Sequence, residues 1–253
     1  MKTLRLFTSS TFLAPMGLLV VLLIIWEFAG RQMNPLLFAP PTAVAERAVE
    51  LWGDGEIQSA TIDTLRSLLI GFGLAAVMGV ALGVLMGRYP LLRKVVDPYL
   101  DALYATPRVV IIPLVIVWFG IGVPGIVFLA WYGAFFPIVF NTTTGVRQTR
   151  PDLVEVAQSF QARGVMLARH ILLPAAMPYV LAGFGVGAGR ALIGVVMGEI
   201  FLDLRGLGGL IQESATFFDM PAALVGIVIV AIMGTILLGL IRITEQRLSA
   251  WKG

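Results

Sequence analysis

Long stretches without a charged side chain constrain this chain more than any other feature of its sequence. Residues 67–87, 109–146 and 221–241 contain no Asp, Glu, Lys or Arg, and each is long enough to cross a bilayer as a helix. The stretch 109–146 exceeds one span, and glycine and proline at positions 120–125 indicate a reversal into a second helix. The chain is 58% hydrophobic and 13% charged, whereas a soluble domain carries about a quarter charged residues. The sequence therefore predicts an all-α membrane protein.

Six membrane spans follow from the apolar runs, and together they predict a single transmembrane domain over residues 1–253. No polar segment is long enough for a sizeable soluble domain, so we expect a first helix at 12–29 and a core bundle over about 60–245. The basic start of the first run also fits a signal peptide, but its length and the lack of a small-residue cleavage site favour a retained helix. The predicted spans are 12–29, 66–87, 98–119, 123–146, 175–200 and 221–241.

The distribution of Lys and Arg predicts which side of the membrane each loop faces. Six spans place both termini on one side, and short loops rich in Lys and Arg remain in the cytoplasm. A polar loop at about 147–173 lies on the same side as the termini, so both termini and this loop are predicted to be cytoplasmic. The basic residues of that side are Lys2, Arg5, Arg88, Arg93, Lys94, Arg147, Arg150, Arg163, Arg169, Arg242, Arg247 and Lys252, whereas the other side carries Arg31, Arg47, Arg66 and Arg205.

The chain lacks the residue patterns that would let it drive a reaction or bind a nucleotide by itself. It has no cysteine and one histidine, His170, which excludes thiolate chemistry and a metal site built on several histidines. It also has no G-x-x-x-x-G-K-[ST] motif, so it cannot bind a nucleotide in the P-loop manner. We therefore expect no enzyme activity and no cofactor in this chain. Any energy must come from a partner ATPase or from an ion gradient.

Charged residues inside the predicted spans are candidates for a translocation path, because such residues face a cavity, water or one another. Arg190 lies near the middle of the fifth span, and the alternative role is a structural salt bridge to Glu199 or to another helix. Asp101 and Arg108 are placed on one face of the third span, where Asp101 could instead reach the membrane interface. The candidate path residues are Arg108, Trp118, Arg190 and Glu199.

Small residues and prolines are expected to shape two of the spans. Pro107 and Pro113 should bend the third span. In the second span glycine recurs at every fourth position, which allows close approach of another helix, either at a sliding or dimer surface or in routine helix packing. The residues of this row are Gly79, Gly83 and Gly87.

A short amphipathic helix is predicted in the polar loop. Pro151 stands just ahead of it, Asp152 is placed to cap it, and Glu155 follows in capping-box spacing. A helix over about 152–160 is too short to span a bilayer, but its apolar face could press into a groove of another protein. The alternative is an ordinary amphipathic helix at the membrane surface. The expected apolar face consists of Leu153, Val156, Ala157 and Phe160.

The same loop carries a spaced set of residues: Glu155, Ala157, Ile171, Leu173 and Pro174. This set resembles the cytoplasmic EAA loop of ABC importer permeases, in which an E-A-A triplet is followed by a glycine and then by I-x-L-P. Val156 replaces the first alanine, Gln161 stands at the glycine position, and Gly164 could supply a turn three residues later.

Further matching residues outside the loop are Asp97, Pro98, Pro113, the stretch 117–122, Glu199 and the stretch 205–208. With them, nearly the whole chain resembles the permeases of the nitrate, sulfonate and taurine importers. The resemblance implies the fold of a type I ABC importer permease with six transmembrane helices, working as a homodimer in the bacterial cytoplasmic (inner) membrane. The implied partners are two cytoplasmic ATPases, which bind ATP and Mg, and an extracytoplasmic binding protein that delivers the solute; no nucleic acid is implied.

The resemblance also implies alternating access driven by ATP, with the loop helix as the coupling element. Arg190 favours an anionic solute. A secondary transporter would require acidic residues at mid-membrane or inverted repeats, neither of which the sequence shows, and a non-transporting scaffold leaves the loop spacing unexplained. The residues expected to couple the chain to an ATPase are Leu153, Glu155, Val156, Ala157, Phe160, Gln161 and Gly164.

Overall fold

A computed structural model describes residues 10–203 and 205–249 of the chain, and all regular structure in these residues is helical. Lys2, Arg5 and Lys252, which contribute to the predicted topology, lie outside the described residues. A π-helical segment, Ala168–Leu172, joins α8 to α9. The helices are α1 (Ser10–Gln32), α2 (Pro41–Gly53), α3 (Glu56–Arg88), α4 (Pro90–Ala105), α5 (Arg108–Phe119), α6 (Val123–Arg147), α7 (Pro151–Ser159), α8 (Gly164–Leu167), α9 (Leu173–Leu202), α10 (Gly206–Thr216) and α11 (Met220–Ser249).

In the part of the chain that the structure describes, five continuous helical segments are long and apolar enough to cross a membrane, and α4 and α5 together form a sixth, broken segment. This agrees with the six predicted spans when the bent pair is counted as one. The fifth segment begins earlier than predicted, at Gly164 rather than near residue 175, because α8 and the π-helical turn run directly into α9. The loop helix α7 is therefore connected to α9 through α8 and the π-helical segment.

The core of the bundle is built from α3, α6 and α9. Of the 18 consecutive residues that are most apolar in each helix, 67% are buried in α6, against 6% in α1 and 11% in α11. Helix α6 is therefore the central element, whereas α1 and α11 present most of their apolar side chains outwards. An outer face of this kind is stable in lipid, which is as apolar as the side chains themselves.

The glycine row of α3 is explained by packing within the chain. A Cβ atom added at Gly83 would lie 2.5 Å from Cβ of Thr142, and one added at Gly87 would lie 2.6 Å from Cβ of Val146. At Gly79 the nearest atom would be Cγ2 of Ile138, at 2.8 Å. All three neighbours belong to α6, so the row allows α3 and α6 to approach closely, as in routine helix packing.

The third span differs from its sequence prediction, because it is broken rather than bent. Helix α4 ends at Ala105, Pro107 caps the start of α5, and the two axes meet at 100°. Pro107 disfavours helical backbone at Thr106, whereas Pro113 is accommodated inside α5. The prediction of one helix over 98–119 is therefore wrong, and so is the placement of Asp101 and Arg108 on one helix face.

Hydrogen bonds from side chains satisfy the backbone at this break. The Thr106 hydroxyl donates to the carbonyl of Ala102 at 2.9 Å, and the Tyr132 hydroxyl of α6 donates to the carbonyl of Leu103. A carbonyl left without a partner in apolar surroundings would destabilise the fold. Helix α6 thus holds the break in place.

Candidate functional site

The loop helix α7 forms as the sequence predicts, within one residue of its expected bounds. Pro151 occupies its first turn, but Arg150 rather than Asp152 is the capping residue, and Asp152 lies in the first turn. Asp152 pairs with the Arg150 guanidinium, and this hydrogen bond lowers the pKa of Asp152 below its usual value. A carboxylate at this position also interacts favourably with the helix dipole.

The apolar residues of α7 point in two directions rather than one. Leu153, Val156 and Phe160 are 45%, 56% and 81% exposed. Ala157 is buried instead, and it packs together with Val154 against the adjoining segments of the loop and α9. The sequence placed Ala157 on one face with Leu153 and Val156, whereas in the structure its side chain fixes α7 to the bundle. Glu155 is exposed beside the outward face.

The backbone at the end of α7 explains why the EAA pattern has a glycine at the position that Gln161 occupies in this chain. Gln161 has φ +61°, in the left-handed region that favours glycine. The amide of Ala162 donates to the carbonyl of Ala157, and the amide of Gln161 donates to the carbonyl of Gln158, both at 2.9 Å. These two bonds define a Schellman motif with Gln161 as its left-handed residue. Gly164, with φ +55°, provides a second left-handed position at the start of α8.

The I-x-L-P part of the loop anchors α7 to the fifth span. Leu172 is buried and lies in one apolar cluster with Ala157 and with Ala176 of α9. Ile171 and Leu173 are half-buried and pack against the same cluster. A displacement of α7 would therefore be transmitted to α9 through packed side chains.

Two of the four candidate path residues come together in the structure. Nη1 of Arg108, at the start of α5, donates a 2.8 Å hydrogen bond to the backbone carbonyl of Arg190 in α9. The Arg190 guanidinium lies over the Tyr104 ring, 5.0 Å from its centre. Trp118, at the other end of α5, is 62% exposed in the single chain and takes no part in this cluster.

Glu199 occupies a different place from the other candidates. Its side chain is 1% exposed, and it accepts hydrogen bonds from the Thr64 hydroxyl at 2.7 Å and from the Gly208 amide at 2.9 Å. It therefore lines no open path in this structure, and within the described residues it forms no salt bridge with Arg190. The carboxylate instead binds the N-terminus of α10, which favours a negative charge.

Sequence reasoning missed Thr64, Tyr104 and Gly133 as parts of these clusters. A Cβ at Gly133 would lie 2.5 Å from the Arg190 carbonyl oxygen and 3.2 Å from Nη1 of Arg108, so only glycine leaves room there. These residues come from helices that are distant in sequence, and no local pattern connects them. Gly206 and Gly208 lie in the stretch 205–208, which carried part of the resemblance to the importer permeases.

The fold and the loop helix define a multi-pass membrane permease, and comparison with known proteins identifies its family. Residues 79–250 match the model of the family described as binding-protein-dependent transport system inner membrane component. The chain therefore belongs to this family, and it is a permease subunit of an ABC importer.

Two curated relatives match over most of their length. The chain is 29% identical over 245 residues to the taurine transport system permease protein TauC of Escherichia coli (strain K12), covering 94% of this chain and 89% of that protein. It is also 29% identical over 240 residues to the putative aliphatic sulfonates transport permease protein SsuC of Bacillus subtilis (strain 168), covering 93% and 87%. These relatives confirm the resemblance to the nitrate, sulfonate and taurine group.

A solved structure confirms the fold. The chain superposes with a TM-score of 0.65 on a chain of the MetNI methionine ABC transporter in inward-facing conformations, at 17% identity. The match covers 74% of this chain and 93% of that chain. At this identity the likeness shows the fold alone, which is that of a type I importer permease.

Proposed function

We propose that this chain forms the translocation path of an ATP-driven importer for a small anionic solute. ATP and Mg are bound by a separate cytoplasmic ATPase subunit, and this chain holds no cofactor. An extracytoplasmic binding protein delivers the solute to the outer face. Two copies of the chain, with two ATPases, make the complete importer in the bacterial cytoplasmic membrane.

The outward face of α7 is the observation that carries this proposal. Three large apolar side chains, Leu153, Val156 and Phe160, are exposed on a helix too short to span a membrane. Exposed aromatic and aliphatic residues of this kind are typical of a helix that docks in a groove. The neighbouring Ala157 ties the same helix to the bundle, so the helix has one face for a partner and one for the permease.

The basic residues around α7 support its placement on the cytoplasmic side. A cavity of about 330 Å³ beneath the helix is lined by Arg88, Arg93 and Arg147, together with Val154 of α7. Basic loops of this kind stay in the cytoplasm during insertion. Both termini share that side if all six segments cross the membrane.

The solute class is supported by two observations of different kinds. TauC is a taurine transport permease and SsuC is a putative aliphatic sulfonate transport permease. Arg108 and Arg190 contribute positive charge within the membrane-spanning segments of this chain. Positive charge along a path favours the entry of anions.

The mechanism follows from the packing of α7. When the ATPases close on ATP, they move the helix through its exposed face. The cluster of Ala157, Leu172 and Ala176 transmits the movement to α9, which packs along α6 at the centre of the bundle. A rigid shift of α9 against α6 then changes access to the path, and hydrolysis resets it.

The double substitution Val156→Ala, Phe160→Ala tests this proposal in proteoliposomes that contain the permease, its ATPase and its binding protein. Loss of two docking side chains should reduce ATP-dependent taurine or alkanesulfonate uptake by about tenfold, while the ATPase retains its basal hydrolysis. Val49→Ala removes a valine of α2 that is 74% exposed, against 56% for Val156, and is the control. Unchanged uptake in the double variant would contradict the proposed role of α7.

A further inference from the structure

Among the residues that the structure describes, two arginines meet inside the bundle without a negative partner. Arg108 donates to the backbone carbonyl of Arg190 at 2.8 Å, which brings one guanidinium to the helix that carries the other. Among the residues that the structure describes, every ion pair involves other side chains. Two cations in apolar surroundings are costly unless an anion or water compensates them.

The surroundings hold the two arginines in position but do not neutralise them. The Tyr104 ring, 5.0 Å below the Arg190 guanidinium, gives a cation–π contact, which orients the side chain without supplying a formal charge. The Tyr132 hydroxyl donates its hydrogen bond to the carbonyl of Leu103 and supplies no negative charge. Gly133 leaves space for the Arg108 guanidinium beside the backbone of α9.

The break between α4 and α5 adds positive potential at the same place. Arg108 is the first residue of α5, a helix of 12 residues, and its side chain therefore starts at the positive end of the helix dipole. Discontinuous helices within a membrane commonly bring such helix ends to a solute. The 100° break between α4 and α5 gives this geometry here.

We propose that Arg108 and Arg190 form an oxyanion site that takes the sulfonate or carboxylate group of the transported solute. This inference rests on the proposed import function and names the group that the path recognises. A guanidinium has five N–H donors, and Arg108 uses one of them for the Arg190 carbonyl. The remaining donors of both side chains form the planar forks that bind oxyanions in bidentate fashion.

The break also suggests how the site releases its ligand. The hydrogen bond between Arg108 and the Arg190 carbonyl joins α5 to α9, and α9 is continuous with the segment that packs against α7. A shift of α9 would separate the two guanidinium groups and weaken their joint hold on the anion. Binding and release would thus follow the same movement that opens the path.

Thermal unfolding of the intact complex in nanodiscs, at constant ionic strength, tests the site with methanesulfonate, acetate and the neutral dimethyl sulfone. Methanesulfonate or acetate should raise the midpoint in a saturable way, whereas dimethyl sulfone should not. The anion that raises the unfolding midpoint at the lower concentration shows whether the site prefers a sulfonate or a carboxylate group. Arg108→Gln and Arg190→Gln should each weaken the apparent affinity by about tenfold or more, since each removes a charge-assisted pair.

Two further variants keep the test decisive. Arg242→Gln removes an exposed arginine near the end of α11 and should leave anion binding unchanged. Arg190→Lys keeps the charge and removes the fork, so it should bind with intermediate affinity even if the Gln variants do not fold. Wild-type affinity in Arg190→Lys, or an equal response to dimethyl sulfone, would overturn the site.

The result also separates this site from the proposed import function. If Arg190→Gln dissociates the two permease copies and no anion shifts the wild-type midpoint, the arginines pair with an acidic residue of the second copy and the oxyanion site is wrong. The import proposal stands in that case if the ATPase still co-purifies and still responds to substitutions in α7. If no anion shifts the midpoint and the ATPase neither co-purifies nor responds to substitutions in α7, both the oxyanion site and the import function are contradicted.

Discussion

The hydroxyl of Thr64 in α3 donates a 2.7 Å hydrogen bond to the buried carboxylate of Glu199 in α9, 135 positions away in sequence. The same hydroxyl oxygen accepts the amide of Leu207 at 2.9 Å, and the second carboxylate oxygen accepts the amide of Gly208. Three helices are therefore tied together by one side-chain pair. Because the Thr64 and Glu199 side chains are buried, removal of either one leaves the polar groups that it binds without a hydrogen-bond partner.

Thr64→Val should destabilise the protein by about 1–3 kcal/mol, because it leaves the Leu207 amide and one Glu199 oxygen buried without a hydrogen bond. Thermal unfolding in detergent, followed by circular dichroism, measures the effect. Thr235→Val is the matched control, since Thr235 is exposed and donates only to the carbonyl four residues earlier in its own helix. Equal midpoints for the two variants would show that the buried network adds nothing to stability.

Gly206→Ala should lower stability more strongly than an ordinary glycine substitution. Gly206 has φ +72°, where a Cβ costs about 1–2 kcal/mol, and that Cβ would also meet the Glu199 carboxylate. Gly239→Ala in α11 has open space around it and should be neutral or stabilising by up to about 1 kcal/mol. The comparison uses the same unfolding assay, and a tolerated Gly206→Ala would contradict the described cap of α10.

Gly83→Ala should disturb the contact between α3 and α6 at the centre of the bundle. The new methyl group would lie 2.5 Å from Cβ of Thr142, so one helix must move, at a cost of about 1–3 kcal/mol. Gly73→Ala on the same helix meets nothing within 4 Å and serves as the control. The yield of monodisperse protein in size-exclusion chromatography should fall only for Gly83→Ala; a fall for both would point away from this contact.

Gln161→Gly should stabilise the end of α7, because it relieves a left-handed backbone that costs a residue with a Cβ about 1–2 kcal/mol. Gln158→Gly makes the same chemical change inside the helix and should destabilise it by about 1 kcal/mol. Amide hydrogen exchange of α7 reports both changes, with slower exchange in the first variant and faster exchange in the second. Faster exchange in both variants would rule out the Schellman motif.

The sequence predicted the elements whose signals are local. Pro151 and the apolar spacing placed α7 within one residue of its observed bounds, and the charge-free runs placed the long helices. The resemblance to the EAA loop placed Gln161 at a glycine position, and the structure has a positive φ there. Proline, glycine and periodicity act through neighbouring residues, so no tertiary contact is needed to interpret them.

The features that the sequence did not predict depend on contacts between distant segments. Pro107 indicated a bend, whereas the structure has a 100° break at which the Tyr132 hydroxyl of α6 donates to the Leu103 carbonyl. Glu199 was assigned to the path on its charge alone, whereas Thr64 and the start of α10 bury it. A charged residue in an apolar segment is equally consistent with a pore and with a buried network until its partners are known.

Site-directed cross-linking at Phe160 tests the central claim most directly, because the chain contains no cysteine and needs no background substitutions. In the reconstituted complex, Phe160→Cys treated with a short thiol-to-amine cross-linker should give an adduct with the ATPase subunit whose yield changes on addition of ATP. Val49→Cys, at a similarly exposed position of α2, should give none. No adduct at Phe160, together with solute uptake driven by an ion gradient without ATP, would contradict the account of α7 as the coupling helix.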